Sequence, residues 1–187
     1  PGCFRMGQGL MIVNQFAPIV DGSAYALDPN SDSDTTLYHR VGTRMPVDTL
    51  LRLMITRSSN FATNTLSALV GADQVTRTMR RLGAKRIQVL RGVEDNKAFD
   101  KGLNNTTTAR DLATILRAIE TGHAGSPEAT REMRQILLAQ EFNEQIPAGL
   151  PPSVRVCHKT GGIPPPPHAP AIGPPPARGP DVAVRAA

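Results

Sequence analysis

Between positions 46 and 57 the apolar residues recur at a helical interval, and no other stretch limits the possible folds so tightly. Val47, Leu50, Leu51, Met54 and Ile55 stand at i, i+3, i+4, i+7 and i+8, which makes one buried stripe. Pro46 suits the first helical position, where its missing N–H is no loss, and Asp48 complements the positive end of the helix dipole. Similar reasoning predicts helices over 62–70, closed by a left-handed Gly71, and over 73–82, closed by Gly83. Thr108 caps a helix over 109–120 with Leu112, Ile115, Leu116 and Ile119 on its inner face. Ser126-Pro127-Glu128 opens a further one that runs to Gln140.

Strand signals are sparse. "SVRVCHKTG", 153–161, alternates Val154 and Val156 with polar neighbours and is the best candidate, while "RIQVL", 86–90, reads as a short strand or an extended segment. Residues 1–45 read as irregular, with turn clusters such as "DGSAYALDPNSDSD", and 91–107 as a polar loop. After Gly162 the composition changes: the last stretch holds more than half of the chain's 17 prolines. Such a segment cannot supply the backbone donors of an inner strand and reads as polyproline-like or disordered. The organisation expected is one domain over 1–163 and a proline-rich tail over 164–187.

Several function classes are disfavoured. The net charge is +5, but Arg and Lys are scattered at intervals of three to four residues with no basic run, so a solvated surface is expected and no nucleic-acid partner. His39, His123, His158 and His168 are dispersed, with no H-E-x-x-H or C-x-x-C spacing, so neither a metal site nor a cofactor is expected. Cys3 and Cys157 do not make a disulfide framework, and Cys157 reads as a small buried hydrophobe. No apolar run approaches the roughly 20 residues of a membrane span. A monomer is expected.

Ser58, Ser59 and Asn60 follow the first stripe and precede the next helix, so Ser59 or Asn60 can serve as its cap. Lys159-Thr160-Gly161 ends the strand candidate. Each motif alone is weak; their order, with a loop rich in Glu, Asp and Asn between them, gives the pair force. The stretches "TLLRLMITRSSNFATNTL", "VLRGVEDNKAFDKGLNNTTTARDLATIL" and "VRVCHKTGG" resemble the class A β-lactamase and β-lactamase-related serine hydrolase family. The resemblance runs from Gly22 to Gly162. It implies an α/β (α+β) fold of serine β-lactamase type, with an all-helical subdomain and a truncated antiparallel sheet that keeps the K-T-G strand. It also implies a small β-lactam or peptidoglycan-like substrate and a periplasmic or secreted location. Ser58 matches the serine that helps relay a proton to the lactam nitrogen, and Asn60 the asparagine that binds the substrate amide. Lys159 and Thr160 match the pair that holds the substrate carboxylate, with Gly161 and Asn96 also on the substrate side.

Departures from the family pattern set further expectations. No serine stands three residues before Lys85, Lys97, Lys101 or Lys159, so S-x-x-K is missing and a chain incomplete at its N-terminus, without hydrolytic activity of its own, is expected. Ser59 replaces the aspartate of S-D-N. Glu94 precedes Asn96 by only two residues, unlike E-x-x-L-N, so Glu94 reads either as the deacylating base or as a solvated loop acid. Asn105 stands where an aspartate usually ties this loop to an arginine such as Arg91, which predicts a looser loop. The Pro/Ala/Arg/Gly-rich end is also what a shifted reading frame of GC-rich DNA would produce.

Overall fold

The stripe does form a helix. In the computed structural model, which describes residues 4–161, α1 spans Val47–Thr56. Pro46 is its N-cap and not its first residue, because Pro46 also ends a strand. That strand, β2 (Arg44–Pro46), pairs antiparallel with β1 (Gly9–Met11) in the register Gly9↔Pro46, Leu10↔Met45 and Met11↔Arg44. The expectation of an irregular first 45 residues is thereby corrected: three-residue strands are too short to show an alternation. The chain divides into two compact units, one holding residues up to Val75 together with Val89–Asn105, the other Thr76–Gln88 and everything from Thr106.

The first unit contains the main apolar core. Ile12, Leu37, Leu50 and Phe61 are fully buried, with Phe16, Leu27 and Leu66 around them. The Phe61 ring meets Phe16 and Tyr38 edge-on, at 5.8 and 5.0 Å between centroids, a favourable arrangement for aromatic quadrupoles. Phe61 belongs to α2 (Asn60–Val70), which packs against α1. This helix starts two residues before the predicted 62, because the buried Ser59 hydroxyl accepts from the Ala62 N–H at 3.3 Å and makes Ser59, not Asn60, the cap. Gly71 ends it with φ 85° and ψ 131°, a positive φ as expected but not the left-handed helical conformation. Helix α3 (Ala72–Arg81) follows. Inside the supposed polar loop lies α4 (Asn96–Asp100), capped by Asp95, which accepts from the Ala98 N–H at 3.0 Å. Five residues are too few to carry a visible period.

The second unit is built on α5 (Ala109–Glu120) and α6 (Pro127–Leu138), which pack on each other. Thr108 caps α5 by accepting from Asp111 N–H at 3.1 Å, and Ser126 caps α6 from Ala129 N–H at 3.2 Å, both as predicted. Gln88 and Thr106 exchange backbone hydrogen bonds as an isolated bridge, so the 86–90 segment is bridged at one residue and does not form a strand.

The strand expected over 153–161 is not one. Its backbone bonds run from Val154 N–H to Pro151 O at 2.9 Å, closing a turn, and from His158 N–H to Leu137 O at 3.3 Å, against the end of α6. The alternation did mark a one-sided burial, since Val156 and His158 are buried and Arg155 is exposed. A strand also needs a neighbour to pair with, and the described residues of this unit supply no strand. Cys157 is half-buried, with its Sγ donating to Arg134 O at 3.7 Å and its thiol pushed up by burial. Cys3, His168 and the proline-rich tail lie outside the described residues.

Candidate active site

The corner between α1 and α2 carries Ser58, Ser59 and Asn60. Ser58 has φ 55° there, a left-handed backbone that a residue with a Cβ seldom adopts. Asn60, the first residue of α2, reaches Glu94 across 34 residues of sequence: its Nδ2 donates to Glu94 Oε1 at 3.3 Å and to Ser31 O at 3.3 Å. The other carboxylate oxygen of Glu94 accepts from Asp28 N–H at 3.3 Å. Glu94 has φ 61°, and it and Ser58 are the two positive-φ residues other than glycine among those described. Backbone strain of this kind tends to collect where a structure has to aim a functional side chain.

The local reason for that aim is Asn64, one turn along α2 and buried. Its Oδ1 accepts from Val93 N–H at 2.7 Å and its Nδ2 donates to Val93 O at 2.9 Å, so one amide satisfies both backbone groups of the residue before Glu94. Tyr25 completes the clasp, donating to Val93 O at 3.2 Å and accepting from Asn64 at 3.2 Å. Burial, followed by the charge of Asp95, pushes the Tyr25 phenol up to about 12. Only glycine fits at position 92, since an added Cβ would stand 2.4 Å from the Tyr25 hydroxyl.

The neck of the loop is closed by Asn105, whose Oδ1 accepts from Leu90 N–H at 2.8 Å and Arg91 N–H at 3.0 Å while its Nδ2 donates to Arg91 O at 2.9 Å. The Arg91 guanidinium stacks over Phe99 at 5.3 Å instead of joining an ion pair at the neck. The expected loosening on replacing an aspartate by Asn105 is therefore offset by three neutral bonds to backbone. Asn96 is exposed at the start of α4, with its N–H on Glu94 O at 2.8 Å. A pocket of about 530 Å³ opens beside these residues, bounded by Tyr25, Ser31, Glu94, Asp95, Asn96 and Lys97. Lys97 is bound to Asp21 at 2.8 Å, which holds the Asp21 carboxyl far below the usual range.

In the second unit Lys159 donates from Nζ to Thr160 O at 2.6 Å, and burial pulls its ammonium down to about 8. His158 beside it is buried, with Nε2 on Asn143 Oδ1 at 3.1 Å, and burial and then the Lys159 charge lower its pKa. Thr160 is partly buried and Gly161 exposed. The sequence-predicted residues thus fall into two groups: Ser58, Asn60, Glu94 and Asn96 in the first unit, Lys159, Thr160 and Gly161 in the second. Asn64, Asp32 and Tyr25 were missed. Their signal is a partner 28 to 68 residues away, which no local pattern displays.

A sequence profile of the β-lactamase enzyme family matches residues 26–180. The chain belongs to the β-lactamase enzyme family. Its structure is similar to that of PBP-A, with 31% identity and a TM-score of 0.61, over 70% of this chain and 48% of that one. It is also similar to a β-lactamase from Sphaerobacter thermophilus, with 26% identity and a TM-score of 0.62 over 73% and 53% of the two chains. An ancestral class A β-lactamase of Gram-negative bacteria gives 27% identity and a TM-score of 0.75 over 96% and 66%. The chain thus spans about half to two thirds of the length of these solved relatives. No curated protein matches it. The mostly helical fold with a small antiparallel sheet is that of class A β-lactamases. Among the described residues no helix is long and apolar enough to cross a membrane.

Proposed function

We propose that this chain is part of a β-lactamase-like serine hydrolase, in which the attacking serine is not among its 187 residues. The observation that carries the reading is the Asn60 amide on the Glu94 carboxylate at 3.3 Å, at an S-x-N corner of a family member. In this reading Asn60 binds the substrate amide and Ser58 passes a proton to the departing nitrogen. Glu94 draws the proton from the water that attacks the acyl-enzyme, and its two hydrogen bonds keep the carboxylate aimed. Lys159 and Thr160 hold the substrate carboxylate, with Gly161 and Asn96 lining the substrate. Export to the periplasm or beyond and a monomeric state go with this assignment, as does one catalytic domain over 1–163 followed by a tail.

The chain itself has no S-x-x-K and hence no atom to be acylated. The expected result is binding without turnover. Penicillin added to labelled protein should shift the amide resonances of Asn60 and Lys159 with one common affinity, and nitrocefin should hydrolyse no faster than in buffer. Turnover of nitrocefin, or a response at only one of the two residues, would refute the assignment.

A second reading is a penicillin-recognising peptidase or another amidase. It is favoured by the spacing of Glu94 and Asn96 and by the engagement of both Glu94 oxygens, each of which already accepts a hydrogen bond from the protein and so faces a water less freely. In a version extended by an S-x-x-K helix, a penicilloyl adduct persisting in the mass spectrum supports the peptidase, and rapid loss of the adduct supports the lactamase.

A further inference from the structure

The segment 28–34, "DPNSDSD", contacts both members of the Asn60–Glu94 pair. Asp28 N–H donates to Glu94 and Ser31 O accepts from the Asn60 side chain. Asp32 does more. Its Oδ1 accepts from Asn60 N–H at 2.9 Å and its Oδ2 from Phe61 N–H at 3.0 Å, so one carboxylate from 28 residues upstream spans the first two amides of α2. The Tyr38 hydroxyl also donates to Oδ2 at 3.1 Å, which fixes the plane of the carboxylate. Burial first, and then the Asp32 charge, pushes the Tyr38 phenol well above its ordinary value, so it stays a donor.

The ordinary cap of α2 is already supplied by Ser59, whose hydroxyl takes Ala62 N–H. Asp32 therefore adds something a cap does not: it clamps the backbone of the one residue whose side chain meets Glu94. Ser58, with φ 55°, precedes that residue, and a corner left to itself there has more than one way to enter the helix. The clamp places a carboxylate on both amides, and a hydrogen bond to an ionised acceptor is stronger than a neutral one.

We propose that Asp32 is a positioning residue that holds the Asn60 side-chain amide on the Glu94 carboxylate. What Asn60 then does rests on the serine-hydrolase reading; that Asp32 sets its place does not, and the test uses no catalysis. In the isotope-labelled full chain, the Asn60 δ-amide resonances should shift as pH falls through the carboxylate range, and Glu94→Gln should remove the larger part of that response, leaving what Asp32 contributes. Asp32→Ala should reduce it to less than half, because the amide no longer stays on Glu94. Asp32→Asn, which keeps an oxygen for one of the two N–H groups, should restore part of it. A general structural role would lower the urea midpoint of Asp32→Ala and leave the Asn60 response at its full size, and that result overturns the proposal. Should Asp32→Ala give no dispersed spectrum, the decision falls to Glu94→Gln with Asp32 intact. There the backbone amides of Asn60 and Phe61 must still titrate with a carboxylate, and silence at both overturns it equally.

Discussion

At the residue scale, Lys159 shows what burial does to a cation before any ligand arrives. Its ammonium is pulled down to about 8, and the cause is desolvation. In the unfolded chain the same group keeps its proton to about 10.4. Between those two values Lys159 is protonated in the unfolded state and not in the folded one, so its contribution to stability rises with pH across that window. Below it both states are protonated and the cost of burying the ammonium is fully felt. A ¹⁵N or ¹³C titration of the Lys159 side chain should have its midpoint near the lower value, and the urea midpoint of the natural chain should gain on that of Lys159→Met as pH goes from 8 towards 10, which separates the lysine from the opposing, burial-raised thiol of Cys157. A carboxylate held against Nζ would move that midpoint up, which gives an assay for an anionic ligand independent of any reaction. A midpoint above 10 in the unliganded chain would show that the ammonium is solvated and the burial wrongly described.

At the element scale, the caps separate local from distant support. Thr108, the N-cap of α5, and Asp111, in its first turn, stand close together yet do different things. Thr108 caps its own helix, while the buried Asp111 turns away and accepts from Arg86 N–H at 2.8 Å, tying α5 to the segment before it. Thr108→Ala should cost about 1 kcal/mol, the ordinary value of a lost cap. Asp111→Ala should cost more, about 2 kcal/mol or above, because it leaves a backbone N–H without its charged acceptor. Urea unfolding of the two variants checks the order; Thr108→Ala as the costlier change would mean that the link to Arg86 contributes nothing. The same contrast explains what was legible in the sequence. Helices α1, α2, α5 and α6 announce themselves through stripes and caps within a turn of each other, and Ser58-Ser59-Asn60 could be placed on a corner for that reason. The short β1, β2 and α4 have no room for a period. The strand at Lys159 was misread because alternation reports burial on one side, whereas pairing depends on residues elsewhere. Resemblance gave Asn60 and Glu94 separate roles and no contact with each other, and the supports of that contact at Asn64 and Asp32 were invisible because each is defined by a residue far along the chain.

At the scale of the whole molecule, the two units are unequally provided with apolar core. Ile12, Leu37, Leu50, Phe61 and their buried neighbours all lie in the first, and three aromatic contacts join Phe16, Tyr25, Tyr38 and Phe61. Among the described residues of the second, the buried apolar side chains are Ala84, Ile136, Leu137 and Val156. Burying a large aliphatic or aromatic side chain contributes roughly 1.5–3 kcal/mol, and an alanine much less. The second unit also holds Thr130 with a buried hydroxyl that lacks a partner and the buried His158 with Nδ1 in the same condition, each a cost that its small core must offset. The first unit carries costs of the same kind at Asp34, Arg91 and Asn104, but against a larger apolar gain. Local opening follows local stability, so native-state hydrogen exchange should divide along this line. Amides in the middle of α1 and α2, at Leu51, Leu53 and Leu66, should be the slowest to exchange, and those in the middle of α5 and α6, at Ile115 and Met133, faster by about tenfold, which corresponds to roughly 1.4 kcal/mol. Equal protection in the four helices would mean that the two units open together and that the buried core of the first stabilises the second as much as itself. That result would shift the weight from side-chain burial within each unit to whatever couples them. The segment that carries Lys159 would then be as firmly held as the corner that carries Asn60, and the difference expected between the two units would disappear.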